Sequence, residues 1–213
     1  MLRPLTALEQ RVIGVLVEKQ RTVPDSYPLS LNALVSGCSQ KTARHPVMEV
    51  GEAELLPVID ELRSLHLVVE VSGARVVRYE HNLGRVLGVP SQSVALLATL
   101  LLRGPQTPAE LRQNADRLHH FADTSSVEAF LDELAAATPP LVQRLGRAPG
   151  AREARWTSLL GGAVADLPDG AGAAVAAPDG LADEVARLRA EVQVLREELT
   201  DLKRQLGLLP APA

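Results

Sequence analysis

The sequence predicts a mainly α protein with small β-wings, an α+β fold in which one module is used twice, ahead of a flexible linker and a C-terminal coiled-coil helix. Three observations predict it. Capping boxes open amphipathic helices at regular intervals. Two short strings recur in the same order. A strict heptad closes the chain.

The recurrence divides the chain. Ile59-Asp60-Glu61-Leu62 returns as Leu131-Asp132-Glu133-Leu134, and Gly73-Ala74-Arg75-Val76-Val77-Arg78-Tyr79 returns as Gly150-Ala151-Arg152-Glu153-Ala154-Arg155-Trp156. Each copy reads helix, helix, helix, hairpin, which is the order of the winged-helix variant of helix-turn-helix. The predicted units are a first winged-helix domain over 1–87, a second over 88–160, a linker over 161–180 and a coiled-coil helix over 181–207.

In the first copy, Thr6-Ala7-Leu8-Glu9 is a capping box for a helix carrying Leu8, Val12, Val15 and Leu16 along one side. A short helix over about Ser30–Ser36 is expected to stop at Gly37. A third, from about Gly51 to Leu65, points Leu55, Ile59 and Leu62 inward. Leu67–Val71 and Val76–Tyr79 are β-rich runs around a Ser72-Gly73 turn. In the second copy, helices start near Ser91, Thr107 and Ser125, the last two with capping boxes. Leu141–Leu145 and Ala154–Thr157 form the closing hairpin.

From Gly161 to Gly180, fourteen of twenty residues are Gly, Ala or Pro, too little apolar surface to offset the entropy of ordering. Beyond it, Leu181, Val185, Leu188, Val192, Leu195, Leu199, Leu202 and Leu206 alternate at spacings of four and three. Glu184, Glu191 and Glu198 fall at g positions, and Arg189, Arg196 and Lys203 at e. In a parallel homodimer each g glutamate faces the partner's e cation, so this register specifies a parallel coiled coil.

Composition excludes several classes. The 213 residues contain five aromatics, too few for a platform that stacks single-stranded bases. A lone cysteine, Cys38, excludes an intramolecular disulfide and a multi-cysteine zinc site. The longest apolar run, Val94–Leu102, is far short of a membrane span, and the N-terminus lacks a signal-peptide core. A cytoplasmic protein without membrane association is expected. Residues 161–213 hold nine acids and five bases, so the net charge of −4 belongs to linker and tail while the body is neutral.

Several long strings carry a family resemblance. They are Leu5-Thr6-Ala7-Leu8-Glu9-Gln10-Arg11-Val12-Ile13-Gly14, Tyr27-Pro28-Leu29-Ser30-Leu31-Asn32, Gln40-Lys41-Thr42-Ala43-Arg44-His45-Pro46-Val47-Met48 and Gly104-Pro105-Gln106-Thr107-Pro108-Ala109-Glu110-Leu111. Over Leu5 to about Gly161 the chain resembles the bacterial YceH-like proteins. The resemblance implies two tandem winged-helix domains and carries no activity with it.

Function then turns on where the charges sit. The third helix of a helix-turn-helix normally enters the major groove with Arg, Lys, Asn or Gln. Here Glu49, Glu52, Glu54, Asp60 and Glu61 precede any cation in the first copy, and Asp123, Glu128, Asp132 and Glu133 occupy the second. Major-groove readout is therefore disfavoured. Cations gather instead in the loop at 37–50 (Lys41, Arg44) and on the hairpins (Arg75, Arg78, Arg152, Arg155). Those six are the candidate nucleic-acid contacts, through DNA backbone or minor groove. Hairpin arginines also serve simply to keep an edge strand soluble, and loop cations to tie down a helix. The first expectation is a dimeric, non-enzymatic DNA-binding or transcription-regulating protein. The alternative is an adaptor whose winged helices dock another protein.

No catalytic, cofactor or metal site is expected. His119 and His120 are adjacent and diverge on a helix, with no further ligand at diagnostic spacing. Cys38 reads as a half-buried loop thiol without an orienting partner beyond His45 in sequence.

Overall fold

A computed structural model describes residues 2–71, 76–147 and 153–163. The predicted linker from residue 164, the coiled-coil segment 181–207 with its eight heptad residues, and Arg75 and Arg152 all lie outside the described residues.

Helix α1 (Ala7–Thr22) opens on the predicted capping box. The Glu9 N–H donates to Thr6 Oγ1 at 3.2 Å while the Thr6 N–H donates to the Glu9 carboxylate at 2.7 Å, satisfying two N-terminal amides at once. A two-residue strand β1 (Leu29–Ser30) leads directly into α2 (Leu31–Cys38), capped by Ser30. Gly37 does not end this helix. It lies inside it, because a Cβ there would come within 2.6 Å of Val15 Cγ1, so the glycine lets α2 press onto α1. Helix α3 (Glu52–Ser64) follows the long loop and buries Leu55, Ile59 and Leu62 as the periodicity predicts.

The hairpin strands are β2 (Val68–Val71) and β3 (Arg78–His81), antiparallel, with Val71 opposite Arg78. Val76 and Val77, expected in the second strand, are exposed and lie outside it. β1 adds to the other edge of β3 through Leu29–Tyr79, a strand too short to read from sequence. A five-residue helix α4 (Leu83–Leu87), also unpredicted, ends on Gly88 in the left-handed region (φ 67°).

The second half repeats the plan with α5 (Ser91–Arg103), α6 (Pro108–Ala115), α7 (Thr124–Ala136), β4 (Val142–Arg144) and β5 (Trp156–Ser158). The Thr107/Glu110 capping box forms as predicted. That of α7 shifts by two residues, because Asp123 caps through a 2.7 Å bond from the Ser126 N–H, leaving Ser125 exposed in the first turn. Trp156 exchanges two backbone hydrogen bonds with Gln106, at 3.0 and 2.7 Å. Gln106 immediately precedes the cap of α6, as Leu29 precedes the cap of α2. The third strand of the first half survives here as a single bridge.

The two halves share one core. Seven successive residues of α1, Arg11–Val17, and ten of α5, Ser93–Leu102, are buried. A surface helix buries one stripe; burial all round places both helices at the centre. They approach closely at Gly14, where a Cβ would meet Leu102 Cδ2 at 2.8 Å. The Leu5 N–H donates to the Leu160 carbonyl at 2.7 Å, tying the first turn of the chain to the segment after β5.

Candidate functional site

The loop between α2 and α3 is held by buried arginines. Arg44, with its side chain at 0% exposure, places Nη1 and Nη2 at 3.0 and 2.6 Å from the two carboxylate oxygens of Glu18 on α1. Its Nε donates to the Gly37 carbonyl at 3.2 Å, satisfying the end of α2. Burial opposes ionisation of Glu18, but the Arg44 guanidinium outweighs it and holds the carboxyl below its ordinary range. Arg11 on α1 is 1% exposed and donates to the carbonyls of Cys38 and Pro46. The loop also reaches the second half, where the His45 N–H donates to the Leu102 carbonyl at 2.7 Å at the end of α5. Of the two roles read for Arg44, phosphate contact or a tie within the fold, the geometry fits the tie: its fork is occupied and out of solvent. Lys41 is exposed.

Two hairpin arginines have equivalent structural tasks. Arg78 donates to the Pro28 carbonyl at 2.7 Å and, more weakly, to Ser26 at 3.3 Å. Arg155 donates to the Pro105 carbonyl at 3.1 Å and pairs with Glu110 at 3.2 Å. Each arginine precedes the aromatic of its last strand, and each proline precedes the residue bridged to that aromatic. Sequence reading found both arginines through the repeat, but not the carbonyls they reach for, which lie fifty residues away. Arg78 is half-buried and tied down; Arg155 remains exposed.

The outward faces of the two third helices are acidic. On α3 and the residues before it, Glu49, Glu52, Ala53, Leu56, Pro57 and Asp60 are exposed, with Leu56 at 44% and nearby Val47 at 56%. Glu54 is spent on the Gly51 N–H, Glu61 on Arg3, and Arg63 on Asp60 and Glu70. On α7, Ser125, Glu128, Ala129, Asp132 and Glu133 are exposed. A groove of about 370 Å³ between α7 and the second hairpin is lined by Glu128, Asp132 and Glu153 as well as Arg144 and Arg147, so it holds no excess of positive charge.

Cys38 is fully buried rather than half-exposed, and burial pushes its thiol up to about 12. His119 packs edge-on against Phe121, and exposed His120 sits 2.7 Å from Asp116. Among the described residues, no three His, Cys, Asp or Glu side chains group to hold a metal. None of the helices among the described residues is long and apolar enough to cross a membrane.

The family model described as "Protein of unknown function, DUF480" matches residues 5–151 of this chain. The chain belongs to that family. Relatives named UPF0502 protein match all or most of its length: one from Leptothrix cholodnii is 61% identical over 100% of both chains. Another, from Cupriavidus necator, is 64% identical over 95% of this chain and 84% of its own. A third, from Burkholderia pseudomallei, is 63% identical over 95% of this chain and 86% of its own. The match to UPF0502 relatives takes in the strings from which the YceH-like resemblance was read.

Proposed function

We propose that this member of the family is a non-enzymatic, cytoplasmic interaction module. Two tandem winged-helix units act as one rigid body, and the outward face of α3 docks a basic protein segment with an apolar anchor. The observation that carries the reading is the exposed stripe Glu52–Leu56–Asp60, its Asp60 paired with Arg63, with exposed Val47 and Glu49 in the loop that leads into the helix. Exposed apolar side chains rimmed by carboxylates suit a cationic peptide surface and repel phosphate. The heptad read from sequence adds a parallel coiled-coil homodimer, which would present two such faces.

The test is site-specific photo-crosslinking from position 56 in cells, with Ala33 on the exposed side of α2 as the control position. The reading expects a discrete adduct from position 56 that disappears when Glu52→Lys and Asp60→Lys are added. Adducts indistinguishable from those at position 33, or indifferent to the charge reversal, overturn it.

A second reading, contact with duplex DNA backbone, is favoured by Lys41 and Arg144, which are exposed and carry no ion pair among the described residues. With Arg44 and Arg78 engaged internally, that leaves a sparse set of phosphate donors.

A further inference from the structure

We propose that the cavity where the first and second halves meet binds a small organic anion, a carboxylate or phosphate ester with a short apolar body. The inference is independent of the docking face on α3. The cavity measures about 470 Å³, within the range of small-ligand sites. Its wall joins the end of α1, the end of β3 and α4 from the first half to α5 and Leu118 from the second.

Two arginines line it from separate elements, Arg21 in the last turn of α1 and Arg85 on α4. Both are exposed, and neither has an ion pair or side-chain hydrogen bond among the described residues. Every other arginine of the first half that points to a neighbour has a specific acceptor: Arg3 has Glu9, Arg11 two carbonyls, Arg44 Glu18, Arg63 Asp60 and Arg78 Pro28. One carboxylate, Glu80, shares the cavity, so the lining is net positive. His81 adds no charge near neutral pH. Its Nε2 lies 2.9 Å from Gln20 Oε1, and its buried Nδ1 has no partner among the described residues.

The chemistry follows from this lining. Two planar forks on one cavity match the two oxygens of a carboxylate or the three of a phosphate. Val17, Val94, Ala95 and Leu118 supply an apolar wall for the body of the ligand. Because the wall comes from both halves, occupancy stabilises the fold as a whole, and the melting temperature rises with ligand concentration.

The experiment uses the purified full chain at low ionic strength, with benzoate and phenyl phosphate as probes and benzyl alcohol as the neutral match. Thermal shift and calorimetry are expected to give saturable binding to at least one anion, with Kd of about 1 mM or below, and none to the alcohol. Arg21→Gln and Arg85→Gln are each expected to weaken binding about tenfold or more, while Arg144→Gln on the far hairpin leaves it unchanged. Circular dichroism identical to wild type shows that the variants are folded. No saturable shift with either anion up to about 20 mM, or equal binding in the Arg21→Gln/Arg85→Gln double variant, overturns the proposal. So does equally tight binding of inorganic phosphate, which has no body to place on the apolar wall.

Discussion

Arg78 and Arg155 do the same thing in the two halves of the chain: each reaches from the residue before the aromatic of its last strand to the carbonyl of a proline, Pro28 at 2.7 Å and Pro105 at 3.1 Å. The bond closes the third edge of each small sheet, just where the backbone bridges Leu29 to Tyr79 and Gln106 to Trp156. A residue pair picked from a repeat as DNA contacts thereby becomes a shared element of architecture. Charged hydrogen bonds to carbonyls contribute about 1.5–3 kcal/mol when buried and less when exposed. Arg78→Ala is therefore expected to cost about 1.5 kcal/mol in urea unfolding and exposed Arg155→Ala under about 1 kcal/mol. Equal, negligible costs would return both arginines to the solvent-facing class.

The Arg44–Glu18 pair supports a larger prediction. The arginine side chain is wholly buried and the glutamate side chain is 15% exposed. Removing one partner leaves a buried charge without its counterpart, which costs about 3–5 kcal/mol. Arg44→Ala and Glu18→Ala should each fall in that range, and the double variant should cost much less than their sum. Additive costs in the double-mutant cycle would contradict the pairing.

A shared core makes the halves unfold together. Trp156 is the only tryptophan and reports on the second half, while far-ultraviolet circular dichroism reports on all helices. Both probes are expected to give one coincident urea transition. Gly14→Val should destabilise it by about 1–3 kcal/mol, because the new side chain drives into Leu102 across the α1–α5 contact. Two separated transitions would mean that the halves are independent domains.

How much of this was legible in the sequence depends on range. The capping boxes at Thr6 and Thr107 and the inward positions of α3 rest on neighbours within four residues, and they form as read. Gly37 was misread because a glycine marks a helix end and a close helix contact alike; only Val15, twenty-two residues earlier, distinguishes them. For Arg44 the sequence left a phosphate contact and a structural tie both open, since its partner Glu18 lies twenty-six residues away with no local pattern linking the two. The central position of α5 was not read from the sequence, although the run Val94–Leu102, apolar but for Thr99, is longer than one amphipathic stripe requires. The arginine-lined cavity had no signal at all, because it assembles residues from four elements.

Stability should depend on pH in two separable windows. Burial, followed by the nearby charge of Arg21, lowers His81 from 6.5 to about 4. A depressed histidine binds its proton more readily in the unfolded chain, so stability falls as pH drops from about 6.5 towards 4, by about 3 kcal/mol. The carboxyls of Glu9 and Glu18 are lowered in the fold, so their contribution is present above 4.5 and lost only as pH falls below it. His81→Gln should flatten the upper window in a thermal melt series and leave the lower one. An unchanged upper window would contradict the buried neutral imidazole.

The central claim is that the outward helices of this fold meet protein rather than duplex DNA. It is tested most directly by fluorescence anisotropy of a labelled random duplex titrated with the full chain at low and moderate salt. The account predicts no saturable binding below about 100 µM at low salt, and a gain of binding in the Glu52→Lys/Asp60→Lys variant. Micromolar binding by the wild-type chain that falls steeply with salt, and weakens on Lys41→Ala with Arg144→Ala, would contradict it.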